Sequence, residues 1–337
     1  MLSIKKTKEG VGNIELVETP IPDIGPRDVL MKVWGAGVCG SDLHIQKDKH
    51  FYKAPVTLGH EYSGVVADIG KEVTSVKVGD RIVSDIEVTG GWLGVTVDGG
   101  FAEYMRIPEN VVYKLPDNVS LDAGIMAEPT VGIVHCLQER IEICAGDFVV
   151  IVGPGPMGLL SAQFAKLKGA RAVAMVGMKG DEFRMEIAKK LGVDHICYME
   201  NNALEEIMEL SRGGADFVAN CAGRQESLQF AIDVAKPANE GSGGKGKIAM
   251  IAIFGQPVAI NLDKVAMGQL DISGGWSCNG SETWERAIDL LGTGKFHPDE
   301  TITHRYALED WEQAFADVRA RKTGKAVLMP NGLDWAK

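Results

Sequence analysis

The chain has 337 residues, 45% of them hydrophobic and 24% charged, with a formal net charge of −11. This is the usage of an ordinary globular protein long enough for two cores, which excludes the disordered and fibrous classes, and the acidity leaves no basic field to hold a nucleic-acid backbone. The longest apolar runs, "FVVIVG" and "IAMIAIFG", have strand length, and "MLSIKKTKEG" has no apolar stretch behind its lysines, so neither a membrane span nor a secretion leader is read.

Up to about residue 115 the segments are short, glycine-rich and alternating, as in "DVLMKVW", "SGVVADIG", "VKVGDRIVSDIEV" and "GGFAEYMRI", which predicts a β-rich unit of twisted strands and tight turns. From about residue 145 the period changes. "GDFVVIVG" reads as a buried strand, "PMGLLSAQFAKLKGA" carries Leu160, Phe164 and Leu167 at helical spacing, and "RAVAMVG" returns to strand. The helical "EFRMEIAKKLG" and the strands "DFVANCAG", "KIAMIAIFG" and "LDISGGW" continue the alternation, which argues a doubly wound parallel sheet over residues 145–277. The tail reads as helix, helix, strand and is expected to fold back on the first unit, giving domains of 1–144 with 278–337 and of 145–277. The stretch "NEGSGGKGK" at 239–247 is expected to be a surface loop.

"VVIVGPGPMG" sets Gly153, Gly155 and Gly158 in G-x-G-x-x-G spacing, with Pro154, Pro156 and Met157 between them, directly after a strand and opening a helix. That context is the one a dinucleotide loop requires: a tight turn, close backbone approach to a pyrophosphate, and a helix N-terminus aimed at its charge. An NAD-type loop places an acid at the end of the next strand, yet that strand ends in Gly177, followed by Lys179 and Arg184, so NADP is favoured over NAD. A second loop, with Gly241, Gly246 and Lys247 in G-x-x-x-x-G-K spacing, has Ile248 where a phosphate loop needs Ser or Thr and is set aside.

"GVCGSDLH" puts Cys39, Ser41, Asp42 and His44 on a glycine-punctuated turn, and sixteen residues beyond His44 "LGHEYSG" brings His60 and Glu61. Thiolate, imidazole and carboxylate together suit zinc, and a catalytic zinc needs about three protein ligands with one position left open. Spacing alone leaves Cys39 open between metal ligand, nucleophile and ordinary buried thiol. The six cysteines, at 39, 136, 144, 197, 221 and 278, form no CxxC pair, which fits reduced thiols and a cytoplasmic location. Cys136, Cys144, Cys197 and Cys221 sit in apolar contexts and read as small core residues. His50, His135, His195, His297 and His304 lack clustered partners and read as surface or satisfied buried histidines, and Trp276, Ser277 and Cys278 fit equally a cofactor-lining stretch or a plain turn.

Taken together, "GVCGSDLH", "LGHEYSG", "VKVGDRIV", "DGGFAEY", "AEPTVGIVHC", "VGPGPMG" and "TGKAVLMP" resemble, in order and spacing over the whole chain, the zinc-dependent medium-chain dehydrogenase/reductase family, in its polyol and threonine dehydrogenase branch. The resemblance implies an α/β chain in which a GroES-like β-rich catalytic domain is interrupted by a Rossmann domain. It implies that Cys39 and His60 are catalytic zinc ligands, that Glu61 ligates zinc or exchanges on and off it, and that Glu128 stands where alcohol dehydrogenases carry a second cysteine ligand, which favours polyols over simple alcohols. Asp42 matches the carboxylate that orients the ligand histidine, Ser41 the hydroxyl that touches the substrate oxygen, and His44 the imidazole that passes its proton towards solvent. The implied reaction is hydride transfer between a secondary alcohol and a nicotinamide, the ketone forming in one direction and the alcohol in the other.

One departure stands out. Where most zinc-dependent members carry a lobe with four cysteines and a structural zinc, this chain has only "SDIEVTGGWLGVTV", without a cysteine, so one catalytic zinc per subunit and no structural zinc is expected. A homo-oligomer, dimer or tetramer, with a small-molecule substrate and neither nucleic acid nor membrane as partner, completes the reading. Two alternatives remain: a zinc-independent NADPH reductase of enones or quinones, and a non-catalytic NADP(H)-binding protein on the same fold.

Overall fold

Val29, Met31 and Val33 of "DVLMKVW" are fully buried, whereas Leu30, Lys32 and Trp34 on the opposite face are only half-buried, the alternation of a strand with one face in a core. The computed structural model describes residues 1–238, 245–278 and 280–333. It divides into two compact units, Met1–Pro129 with Gly280–Lys337, and Thr130–Asn279. Residues 130–144, left with the first unit by the sequence reading, go with the second.

In the first unit the strands follow as β1 (Leu2–Lys6), β2 (Ile14–Glu18), β3 (Asp28–Gly37), β4 (Val56–Thr57), β5 (Glu61–Ile69), β6 (Arg81–Ser84), β7 (Glu87–Val88), β8 (Gly91–Trp92), β9 (Tyr104–Pro108) and β10 (Val112–Lys114). A seven-stranded sheet runs β10-β6-β5-β3, then the late strands Lys325–Met329 and Ile302–Ala307, with β9 also paired to β3; a three-stranded sheet β2-β1-β4 lies apart from it. Antiparallel pairing of β3 with β5 sets Gly37 opposite Glu61, and Lys325–Met329 joins the same end of β3 through Val327 opposite Gly37. Ile4, Leu58, Phe101, Phe315 and Leu328 are among the residues that fill the core. Three short helices concern the site: α1 (Gly40–Gln46), α2 (Leu121–Ile125) and α3 (Ala127–Val134).

Two features differ from the sequence reading here. "GVCGSDLH" is the start of α1 and not only a turn, because the Asp42 carboxylate accepts the Cys39 N–H at 2.8 Å and Cys39 thereby caps the helix. The tail also holds an unanticipated strand, Ile302–Ala307, whose His304 and Arg305 break the apolar alternation that would announce it.

The second unit is a sheet of six parallel strands, β11 (Phe148–Val152), β12 (Ala172–Gly177), β13 (His195–Tyr198), β14 (Phe217–Asn220), β15 (Lys247–Met250) and β16 (Asp271–Gly274), in the order β13-β12-β11-β14-β15-β16. Helices α4 (Pro156–Leu167), α5 (Glu182–Lys190), α6 (Ala203–Ser211), α7 (Gln225–Val234) and α8 (Leu262–Gly268) connect them. The order reverses between β11's two neighbours, β12 and β14, the switch point at whose carboxyl ends open α/β sheets bind ligands. On α4, Leu160 and Phe164 are buried as their spacing predicts, while Leu167 at its end is exposed.

Cys144 corrects the sequence reading: it is exposed, in the turn that leads to β11, with Lys247 Nζ at 3.4 Å from its sulfur. Cys136 and Cys197 are buried as expected, and Cys221 is half-buried. Of the 239–247 stretch, residues 239–244 lie outside the described residues, Gly241 among them, and Lys247 opens β15. Among the described residues no helix is long and apolar enough to cross a membrane.

Candidate metal centre and dinucleotide loop

The first candidate site forms where β3, α1 and β5 meet in the first unit. Gly37 ends β3, Cys39 caps α1, and His60 with Glu61 opens β5, so the β3–β5 register brings two sequence-distant motifs together. One ligand atom from each of Cys39, His60 and Glu61 lies within 4.8 Å of the others, a set that can hold a metal ion. Glu128, on α3, lies outside that compact set. Gly37 leaves room for the Glu61 carboxylate: a Cβ there would meet Glu61 Oε2 and force the Glu61 side chain to shift.

The surrounding groups orient these donors. His60 directs Nε2 to the Ser41 hydroxyl at 3.2 Å and Nδ1 towards Asp42 Oδ1 at 3.8 Å. Asp42 is fully buried and His60 nearly so, and among the described residues neither Asp42 Oδ1 nor His60 Nδ1 has a hydrogen-bond partner. Burial pushes the Asp42 carboxyl up to about 6 against the pull of His60 and of the Cys39 N–H. Burial works against a charged His60, but the Cys39 sulfur, Asp42 and Glu128 outweigh it and lift the imidazole well above its ordinary value. Burial holds Glu128 above the usual carboxylate range; His60 pulls it down and Glu61 pushes it further up.

Lys325, the first residue of its strand, forms a buried ion pair with Glu61, and its Nζ also lies 3.5 Å from the Val38 carbonyl. Burial alone would lower this lysine, yet Glu61, Cys39 and Glu128 together hold it above its ordinary value. One lysine thus faces a cluster of acidic donors with His60 beside them. Such a donor set suits a divalent cation. Sulfur, nitrogen and carboxylate oxygen in one tight group fit zinc, and Asp42, 3.8 Å from His60 Nδ1, stands where the outer partner of a metal-bound imidazole would be.

His44 stands at the exposed end of α1. Partial burial, then the positive neighbours His50, Lys47 and Lys49, hold its imidazole below the ordinary histidine value. Ser41 is half-buried, in contact with His60.

In the second unit each glycine of "GPGPMG" has a separate role. Gly153 has φ +101°, in the left-handed region, and a Cβ on Gly158 would stand 1.9 Å from the Gly153 carbonyl oxygen. Gly155 caps α4, Pro156 and Met157 start it, and a Cβ on Gly155 would meet nothing within 4 Å. A helix N-terminus behind open space is what a pyrophosphate needs, so the loop fits a dinucleotide. Pro154 lies beside Gly177, its ring carbon 3.3 Å from where a Gly177 Cβ would be. Gly177 is the last residue of β12; Lys179 is exposed in the loop after it, and Arg184 is half-buried in the first turn of α5. At the carboxyl ends of β15 and β16 an open cavity of about 480 Å³ is lined by Ile251, Ala252, Ile253, Gly274, Gly275 and Trp276, which gives Trp276 a place on a ligand-accessible surface. Another groove of about 440 Å³, in the first unit and lined by residues such as Lys5, Asp98 and Arg106, contains none of the predicted site residues.

The sequence reading missed Lys325. Its signal was present in "TGKAVLMP", where a lysine opens a strand whose five residues are all buried. Of the single histidines, His135 is a satisfied buried one, 2.9 Å from the Glu139 carboxylate.

Comparison with known proteins agrees over nearly the full length. A model of the alcohol dehydrogenase GroES-like domain matches residues 25–117, and a model of the zinc-binding dehydrogenase domain matches residues 156–293. The sorbitol dehydrogenase of Halalkalibacterium halodurans is 33% identical, with 98% of this chain and 99% of that protein aligned. The L-threonine 3-dehydrogenase of Pyrococcus horikoshii is 32% identical, with 98% of each aligned. Among solved structures, a provisionally assigned zinc-binding dehydrogenase from Sinorhizobium meliloti, bound to NADP, superposes with a TM-score of 0.86 at 27% identity, over 98% of this chain and 99% of that one. The chain belongs to the zinc-binding medium-chain dehydrogenase family, in the branch of the sorbitol and threonine dehydrogenases.

Proposed function

We propose that the chain is a zinc-dependent, NAD(P)-linked oxidoreductase that interconverts a secondary alcohol, of the polyol, sugar-alcohol or related hydroxy class, with its ketone. The observation that carries the reading is the Cys39, His60 and Glu61 donor set, all within 4.8 Å, in a chain whose other unit has a complete dinucleotide loop. When bound, zinc supplies Lewis-acid polarisation of an alcohol or carbonyl oxygen, and the nicotinamide supplies the hydride acceptor or donor.

The chain's own residues do the rest. Cys39 and His60 would hold the metal, with Glu61 or Glu128 as the carboxylate ligand. Asp42, 3.8 Å from His60 Nδ1, would orient the ring so that Nε2 is left for the metal, and Lys325 pairs with Glu61. Ser41 offers a hydroxyl beside His60 for the substrate oxygen. His44, held below the ordinary histidine value on the exposed end of α1, is neutral near pH 7 and can accept a proton for release to water. One zinc per chain is the expected load, since residues 85–100 contain no cysteine to build a second site. NADP is the preferred dinucleotide, because β12 ends in Gly177 with Lys179 and Arg184 following, and a solved relative carries NADP.

The test is a panel of secondary alcohols and polyols with NADP⁺ and NAD⁺, assayed with and without a strong chelator and in Cys39→Ser. Turnover that the chelator and the substitution both abolish supports the reading. Undiminished enone or quinone reduction under the same treatments would replace it with the zinc-independent reductase.

A further inference from the structure

We propose that Glu200 is a second determinant of cofactor choice, an acid supplied by β13 at the position where β12 lacks one; this rests on the dinucleotide reading above. In a β-α-β unit of this kind the ribose next to the adenine lies at the end of the second strand, and an acid there accepts its 2′-hydroxyl and repels a 2′-phosphate. The second strand here ends in Gly177, paired in register with Tyr198 at the end of β13. Two residues beyond Tyr198, Glu200 reaches back across the sheet edge, and both its carboxylate oxygens lie 3.2 Å from the Lys179 backbone nitrogen.

Burial separates this acid from its neighbour. Asp181, the first carboxylate after β12 in the chain, is turned under the loop, where it accepts the Met178 N–H at 2.9 Å and is only 5% exposed. Glu200, Lys179 and Glu182 are all exposed; Glu182 accepts the Gly180 N–H at 3.0 Å at the start of α5, while Glu200 is the carboxylate presented against the Lys179 amide at this edge. It occupies the backbone donor that a 2′-phosphate would take, and it places one negative charge against a phosphate carrying nearly two. Lys179 attracts the phosphate and Glu200 opposes it, so the NADP preference set by Gly177 is held in check and NAD use persists. A 2′-hydroxyl, in contrast, can donate to the same carboxylate.

The experiment is isothermal titration of the full-length protein and of Glu200→Gln with NADPH and with NADH at low ionic strength. Removing the opposing charge is expected to raise the ratio of the NADH to the NADPH dissociation constant about tenfold, mostly by tightening NADPH, with the gain shrinking at high salt. Equal shifts for both cofactors, or none, overturn the inference, because a carboxylate that only braced the Lys179 amide would affect the two alike. Binding of neither cofactor by the unaltered protein overturns the dinucleotide reading and this inference with it; binding of both with a ratio blind to Glu200 overturns this inference alone.

Discussion

Replacing Lys325 with Met keeps most of the buried stem and removes only the charge that faces Glu61. Both residues are 2% exposed, and Glu128 adds a like charge close enough to raise the lysine, so the substitution strands a carboxylate with no water to replace the lost partner. Two charges about 3 Å apart at an effective dielectric constant near 20 attract by roughly 5 kcal/mol, and truncating one member of a buried pair typically costs about 3–5 kcal/mol. Lys325→Met is therefore expected to lose about 3–5 kcal/mol in urea unfolding followed by tryptophan fluorescence in chelator. Glu61→Gln in the same background removes the stranded charge and should recover more than about half of that loss, because a buried pair replaced on both sides is close to neutral. Added zinc should also narrow the gap between Lys325→Met and the unaltered protein, since a cation at Cys39, His60 and Glu61 supplies the missing charge. A cost for Lys325→Met below about 1 kcal/mol, or a double variant as weak as the single one, would refute the reasoning.

Cys39→Ser should lose bound zinc, and elemental analysis of the unaltered protein freed of loose metal should give one equivalent per chain; two equivalents would contradict the single-site reading. Gly155→Ala should fold normally, with nothing within 4 Å of its new methyl, yet bind NADPH at least about tenfold more weakly, whereas Gly158→Ala drives a methyl to 1.9 Å from the Gly153 carbonyl and should cost about 1–3 kcal/mol of stability as well. Asp80, held down to about 2 chiefly by Lys114 at 2.9 Å and by the Lys77 N–H at 3.0 Å, should give a pH-dependent loss when changed to Asn. Its folded value is depressed, so its contribution is complete above the unfolded value of about 4 and vanishes as pH falls through about 2. Lys114 is half exposed, so the loss at pH 7 should be about 1–2 kcal/mol rather than the full linkage value, and a pH-independent offset in the unfolding midpoints would count against it.

What was legible in the sequence follows the range of the interactions involved. The dinucleotide loop could be read residue by residue because its turn, close approach and helix start all fall within Gly153–Gly158. Most strands of the second unit were legible for the same reason, being short apolar runs such as Phe148–Val152, buried throughout, whereas β13 was not read, because His195 and Tyr198 flank only two apolar residues. Cys39, His60 and Glu61 could be named, but spacing left the role of Cys39 undecided, since what unites the three is a register between β3 and β5 that no local pattern encodes. Helix α1 was hidden by its flanking glycines, although the Cys39–Asp42 cap was present in the letters. Cys144 looked apolar by its neighbours, but the turn through Gly146, at φ +88°, carries it to the surface. Lys325 and Glu200 escaped notice because each acts on a residue brought close only by strand neighbours, Glu61 in one case and Lys179 in the other.

The Glu61–Lys325 pair spans 264 positions, and it sets the order in which the molecule can be completed during synthesis. The second unit is one continuous stretch, Thr130–Asn279, and the whole of it is made before Lys325 exists. At about 5–20 residues per second, roughly 13–50 s separate the appearance of Glu61 from that of its counter-ion. Through that interval the end of β3 at Ala36 and Gly37 lacks the strand that later pairs with it, and the Glu61 carboxylate has no lysine to justify its burial. The first unit is therefore the last to close although it is the first to be made.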